Sequence, residues 1–215
     1  MSNIILQNFS KSFGDTVVFD GFGYSFEGGL IHILMAPSGS GKTTLLNAIA
    51  GLIEYGGSIS VGDTQCEGRC NISVSYMFQT PRLIPSKTVF GNIEYAIKGA
   101  YPDKAARRDK IMSLLFDVGL GDSAKLYPKA LSGGMAQRAA LVRAFLYPSQ
   151  ILLMDEPFRG LDKETKESVM EIFGRLWQKT PRTTLFVTHD DTEAAMIGAV
   201  VHKLGDKPHI GKPGQ

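Results

Sequence analysis

The sequence predicts an α/β fold interrupted by an all-helical insertion, and three features carry that expectation. Leu30–Met35 is a nearly continuous apolar run, as in a strand covered on both faces, and it leads straight into a glycine-rich loop and an apolar-periodic helix. From Ile151 onward strand-like and helix-like segments alternate, beginning with the buried run Ile151–Met154. Between them, from Thr88 to Tyr147, the pattern is helical. Alternating strands and helices imply helices packed on a mostly parallel sheet.

Taken in order, Ile4–Leu6, Val17–Phe19 and Tyr24–Phe26 read as short strands separated by turn residues such as Gly14-Asp15 and Gly28-Gly29. After the glycine loop, Leu45, Leu46, Ala48, Ile49 and Leu52 mark one face of a helix. Ile59–Val61 and Ile72–Phe78 read as further strands. In the insertion, Val89, Ile93 and Ile97 recur at helical spacing, as do Ile111, Leu114, Leu115 and Val118. Ser132 reads as the N-cap of a third helix. The charge cluster Lys104–Lys110 reads as a solvated helix face. The alternation then resumes with Ile151–Met154, a helix over 163–179, strand Thr184–Thr188, a helix over 191–197 and strand Val200–Leu204.

The 215 residues suit one domain, or one domain with an inserted lobe. Lys plus Arg total 23 and Asp plus Glu 21, so the net charge is +2. That near-neutrality argues against a protein built mainly to grip nucleic acid or anionic lipid. Glycine is in excess, 24 residues where ordinary usage gives roughly 15. Cys66 and Cys70 are the two cysteines, too few for a disulfide framework or a four-cysteine zinc site, and are expected to be reduced thiols. Met1–Leu6 has no basic flank and no long apolar run, so no targeting segment is expected. The longest apolar stretches fall far short of the ~20 residues that span a bilayer. The chain reads as cytosolic.

The segment Ala36-Pro37-Ser38-Gly39-Ser40-Gly41-Lys42-Thr43-Thr44 lies between a buried strand and a helix, the setting a Walker A loop requires. Backbone N–H groups of such a loop converge on phosphate oxygens, aided by the helix dipole. Lys42 would place a charge on the β- and γ-phosphates, and the Thr43 hydroxyl would ligate Mg²⁺. Ala36 stands where this motif has its first glycine. If that position needs positive φ, the methyl group would weaken nucleotide binding.

Ile151–Met154 is followed by Asp155 and Glu156. A buried parallel strand ending in acids delivers them to the sheet edge where ligand crevices lie. Asp155 fits a Walker B role, holding Mg²⁺ through water, and Glu156 fits a general base for water. Leu131-Ser132-Gly133-Gly134-Met135-Ala136-Gln137-Arg138 opens the third helix of the insertion, and Ser-Gly-Gly at a helix start is a second anion cradle.

These motifs, in this order and spacing, resemble the ATP-binding subunits of ABC transporters along nearly the whole chain. Leu-Ser-Gly-Gly is that family's signature. The resemblance implies a P-loop NTPase (RecA-like) core with a mixed sheet, an N-terminal antiparallel β subdomain and an inserted α-helical subdomain. It places residues 1–79 and 148–215 in the core and 80–147 in the helical part of a single ABC ATPase domain. Phe13 matches the aromatic that stacks on adenine, though a core phenylalanine is the alternative. Gln79 matches the Q-loop glutamine, which reaches Mg²⁺ or the attacking water. Asp162 matches the D-loop aspartate, with helix capping as its alternative. His189 matches the switch histidine at the γ-phosphate.

The implied ligands are ATP and Mg²⁺. The implied partners are a second ATPase subunit, expected to be an identical copy, two transmembrane permease subunits and, through them, a solute-binding protein. No nucleic-acid partner is expected. Two copies would pair head to tail, each ATP touching Walker A of one and Ser132/Gly134 of the other. The chain would sit on the cytoplasmic face of the membrane, held by the permease. Asp155-Glu156-Pro157-Phe158 resembles importer ATPases, and Met135 after the signature resembles the nitrate, sulfonate, taurine and thiamine-precursor importers. Ala136 and Arg159-Gly160 depart from that subgroup. An exporter or lipoprotein-release ATPase, a soluble ABC factor and a degenerate nucleotide-binding cassette are the alternatives.

Overall fold

Gly14 and Asp15 turn the first strand, β1 (Ile4–Phe13), back on the second, β2 (Thr16–Phe26), with Phe13 opposite Thr16. Two-residue loops with a glycine at positive φ match the strands' twist, and Gly14 has φ 55°. The computed structural model describes residues 1–37, 39–203 and 209–210, the last pair by backbone alone. β2 joins two short runs that the sequence separates, and its pairing with β1 is irregular, with register shifts between Leu6 and Phe9, between Phe9 and Lys11 and between Lys11 and Ser12.

The chain divides into two compact units. One holds residues 1–76, 150–155 and the described residues from Pro181 onward, and the other holds 77–149 and 156–180. In the first unit, β4 (Gly56–Val61) and β5 (Thr64–Glu67) extend the hairpin into an antiparallel sheet of order β2-β1-β4-β5. A two-residue β10 (His209–Ile210) adds to its edge, parallel to β2. A second sheet has the order β6-β7-β8-β3-β9, with β6 (Val74–Met77), β7 (Ile151–Asp155), β8 (Thr183–Val187), β3 (Ile31–Met35) and β9 (Val200–Lys203). β7, β8, β3 and β9 pair in parallel. Helix α1 (Lys42–Ile49) packs on β7 and β8, and its Leu45, Leu46 and Ile49 are fully buried with Phe9, Phe19 and Phe26. The parallel register aligns the carboxyl ends of β3, β7 and β8, so the residues that follow them emerge along one edge.

The expected pair of reduced thiols is corrected: Cys66 and Cys70 are joined as a disulfide. Gly68, at φ 69°, turns the chain after β5 so that the two Cα atoms lie 5.0 Å apart, within disulfide reach.

In the second unit, α2 (Val89–Ile97), α3 (Lys104–Asp117), α4 (Gly133–Leu146) and α5 (Lys163–Lys179) pack together. Residues 156–180, expected with the core, group here because α5 packs on α4. Arg107 departs from the expected solvated face of Lys104–Lys110. It is buried, paired with Glu94 at 3.0 Å and bonded to the carbonyls of Tyr101 and Pro102. Helix α6 (Asp191–Ile197) returns to the first unit. Leu204, expected to end the last long strand, lies outside the described residues. No helix among the described residues is long and apolar enough to cross a membrane.

A hydrogen-bonded chain of rings lies beside the parallel sheet. His32 Nε2 meets the Glu27 carbonyl at 2.8 Å, His32 Nδ1 meets His202 Nε2 at 2.9 Å, and His202 Nδ1 meets the Tyr24 hydroxyl at 2.7 Å. One order of neutral donors satisfies it: His32 donates to the carbonyl, His202 donates to His32, and Tyr24 donates to His202. Burial, and then the charge of His32, hold His202 below its ordinary pKa of 6.5. The unfolded chain therefore binds this proton more readily than the folded one. The stability from neutral His202 is complete above pH 6.5 and is lost as pH falls through the lower folded value. Thermal melts from pH 7.5 to pH 5 should show the melting temperature falling, and His202→Gln should flatten that slope.

Candidate functional site

The glycine loop leaves β3 and closes on itself through Ser40 N–H to the Pro37 carbonyl at 3.2 Å. Gly41, at φ 97°, is the N-cap of α1. A Cβ there would lie 2.5 Å from Val18 Cγ1, so both conformation and space require glycine. The Lys42 side chain is buried and turned back into the loop. Its Nζ donates to the Ala36 carbonyl at 2.5 Å, the Pro37 carbonyl at 2.8 Å and the Ser40 hydroxyl at 3.4 Å. The loop is thus wrapped around one ammonium group. Pro37 and Gly39 are exposed, Ser40 is buried, and Thr44 is half-buried on α1. Ser38 lies outside the described residues. Ala36 is not among the residues with positive φ, so its methyl group carries no conformational penalty.

Thr43, the second residue of α1, is exposed and donates its hydroxyl to Asp155 Oδ2 at 2.9 Å. A hydroxyl and a carboxylate side by side at the end of a strand are hard oxygen donors of the kind Mg²⁺ takes. Among the described residues no cluster of three or more His, Cys, Asp or Glu could hold a metal by itself. His189 follows β8 by two residues and is exposed, at the same edge as the end of β3. Phe13 ends β1 with half its surface exposed, so it is no core residue, and Lys11 Nζ lies 5.0 Å from its ring centre.

The other predicted residues lie in the second unit. The Ser132 hydroxyl accepts from Met135 N–H at 3.3 Å and caps α4, as its position in the sequence implies. Gly133 is exposed and Gly134 is buried; a Cβ on Gly134 would lie 2.4 Å from Thr165 Cγ2. Asp162 caps α5 through Thr165 N–H at 3.0 Å, and that bond holds its carboxyl below the usual range. Gln79 is exposed. Glu156 has φ 44°, a region that strains a residue with a side chain. The turn after it is closed by Arg159 N–H to the Glu156 carbonyl at 3.2 Å and by Arg159 Nη1 to Glu156 Oε2 at 2.8 Å. Two residues on, Phe158 is fully buried with its ring 6.5 Å from that of Phe173, which anchors the turn.

Two residues beyond the expected set bear on this region. Arg159 holds the Glu156 carboxylate, and Gln137 bonds the carbonyls of Gln79 and Pro157. Their signals in the sequence are slight. Arg159 is an i,i+3 partner across a turn. Gln137 is a polar residue on the α4 face shared with Ala140 and Leu141.

The family model described as ABC transporter matches residues 19–159. This chain belongs to the ABC transporter family. It is 36% identical over 219 residues to the sn-glycerol-3-phosphate import ATP-binding protein UgpC 2 of Agrobacterium fabrum, covering 99% of this chain and 58% of that protein. It is 37% identical over 207 residues to the aliphatic sulfonates import ATP-binding protein SsuB of Rhodopseudomonas palustris, covering 94% of this chain and 71% of that protein. The chain therefore spans between about half and three quarters of these curated relatives. Among solved structures it resembles the ATP-binding cassette MJ0796 in a dimeric, post-hydrolysis state bound to ADP and Pi, with a TM-score of 0.81, 27% identity and 94% of each chain covered. The mixed α/β architecture, one antiparallel and one parallel sheet with helices, is that of an ABC cassette.

Proposed function

We propose that this ABC protein is the Mg²⁺-dependent ATPase subunit of an importer, pairing on ATP and driving separate membrane permease subunits. The observation that carries this is the Thr43–Asp155 hydrogen bond, which joins the phosphate loop to the acidic strand end. The import relatives support the direction of transport.

In this reading the loop from Pro37 to Thr44 receives the phosphates, including Ser38. Lys42 leaves its own carbonyls and pairs with β- and γ-phosphate oxygens. Phe13 stacks on the adenine. Thr43, Asp155 and Gln79 would hold Mg²⁺, which when bound neutralises phosphate charge during transfer. Glu156 takes a proton from water as the water oxygen bonds to the γ-phosphorus and the bond to the bridging oxygen of ADP breaks. His189 contacts the γ-phosphate. Ser132, Gly133, Gly134 and Asp162 serve the ATP of the second copy. The chain acts as one ABC ATPase domain whose helical residues 80–147 face the permease, on the cytoplasmic side of the membrane. A solute-binding protein belongs to the same system. Such work needs no net charge, because the charge handled is local to the phosphates.

Affinity purification of the tagged chain from solubilised membranes tests the partner claim. Recovery of an integral-membrane permease is expected. Recovery of a soluble nucleic-acid complex instead would contradict it.

A further inference from the structure

Gln137 is the fifth residue of α4 and is 3% exposed. A buried amide is costly unless its bonds compensate. Its Nε2 donates to the Gln79 carbonyl at 3.3 Å and, at shorter range, to the Pro157 carbonyl. Its Oε1 has no hydrogen-bond partner, the one such buried side-chain atom among the described residues. The amide is therefore oriented for its donors: turning it over would set an oxygen against two carbonyls and satisfy neither. The two carbonyls belong to the residue expected to orient water and to the residue after the expected base. Helix α4 grips the first segment again one turn and a half further on. There Arg143 Nη2 and Nη1 bond the Pro81 and Arg82 carbonyls at 2.7 and 2.9 Å, and burial pushes the Arg143 pKa down. Ser132, at the start of the same helix, caps the second anion cradle.

We propose that Gln137 is a positioning residue for hydrolysis, fixing the backbone at Gln79 and Pro157 so that the Gln79 and Glu156 side chains address the same water. The proposal rests on the reading of Glu156 as the base and deepens it. Gln137 touches no substrate; it acts through two carbonyls, and it links α4 to both segments.

The test uses the full chain with Gln137→Met, which keeps the volume and removes the donors, and Gln137→Glu, which keeps the shape and sets oxygen against oxygen. Displacing a catalytic group by an ångström can cost about a hundredfold. A fall in kcat of about tenfold or more is expected, with KM for ATP within about twofold of wild type. Amide exchange should quicken at residues 77–82 and 158–160 and stay unchanged in β1 and β2. Unchanged kcat, or kcat and KM lost together with the melting temperature in both variants, would overturn the proposal. Glu156→Gln run in parallel separates the two ideas. If that variant turns over normally, the reading of the base fails. If it is inactive while Gln137→Met is normal, only the present proposal fails.

Discussion

Lys42→Ala lowers ATP affinity by roughly 10- to 150-fold, the equivalent of a hydrogen bond to a charged group worth about 1.5–3 kcal/mol. The ammonium is held by the Ala36 and Pro37 carbonyls and by Ser40. Phosphate oxygens must compete with those three acceptors, and they can, because they carry full negative charge. Removing the ammonium takes a donor from the Ala36 and Pro37 carbonyls and leaves an anion site with no cation. Titration calorimetry with ATP checks this. Unchanged affinity would move the nucleotide away from the loop.

Glu156→Gln lowers kcat by about a hundredfold or more, within the range that a positioned general base contributes, and leaves ATP affinity as it was. The amide has the carboxylate's shape and its oxygen can still accept from Arg159, so the turn that holds it at 2.8 Å survives. What is lost is the ability to take a proton. Phosphate release under saturating ATP measures the first effect and equilibrium binding the second. A variant that binds ATP normally and hydrolyses it normally would remove Glu156 from the chemistry.

Much of this region is legible in the sequence because its chemistry is written in short runs. A buried strand, a glycine loop and a lysine fall within about a dozen residues, and so do the strand Ile151–Met154 and its two acids. The N-cap at Ser132 is local in the same sense. What the sequence hides depends on long-range packing or on backbone dihedrals. Whether Ala36 is costly turns on the sign of one φ angle, which residue type alone does not decide. The burial of Arg107 depends on Glu94 and on the carbonyls before α3. Cys66 and Cys70 pair because Gly68 turns the chain between them. Gln137 looks like any polar residue in a helix until Gln79 and Pro157, 58 and 20 residues away, are seen at its amide. The register shifts of β1 similarly break the alternation by which a ten-residue strand would be recognised.

The central claim is that two copies close on ATP, each completing the other's site with Ser132 and Gly134. Sedimentation of the Glu156→Gln chain with ATP and Mg²⁺ tests it most directly, since slowed hydrolysis leaves the ATP-bound state populated. The predicted result is a monomer without nucleotide that becomes a dimer with ATP and returns to monomer with ADP. A chain that binds ATP and stays monomeric at every protein concentration would contradict the account.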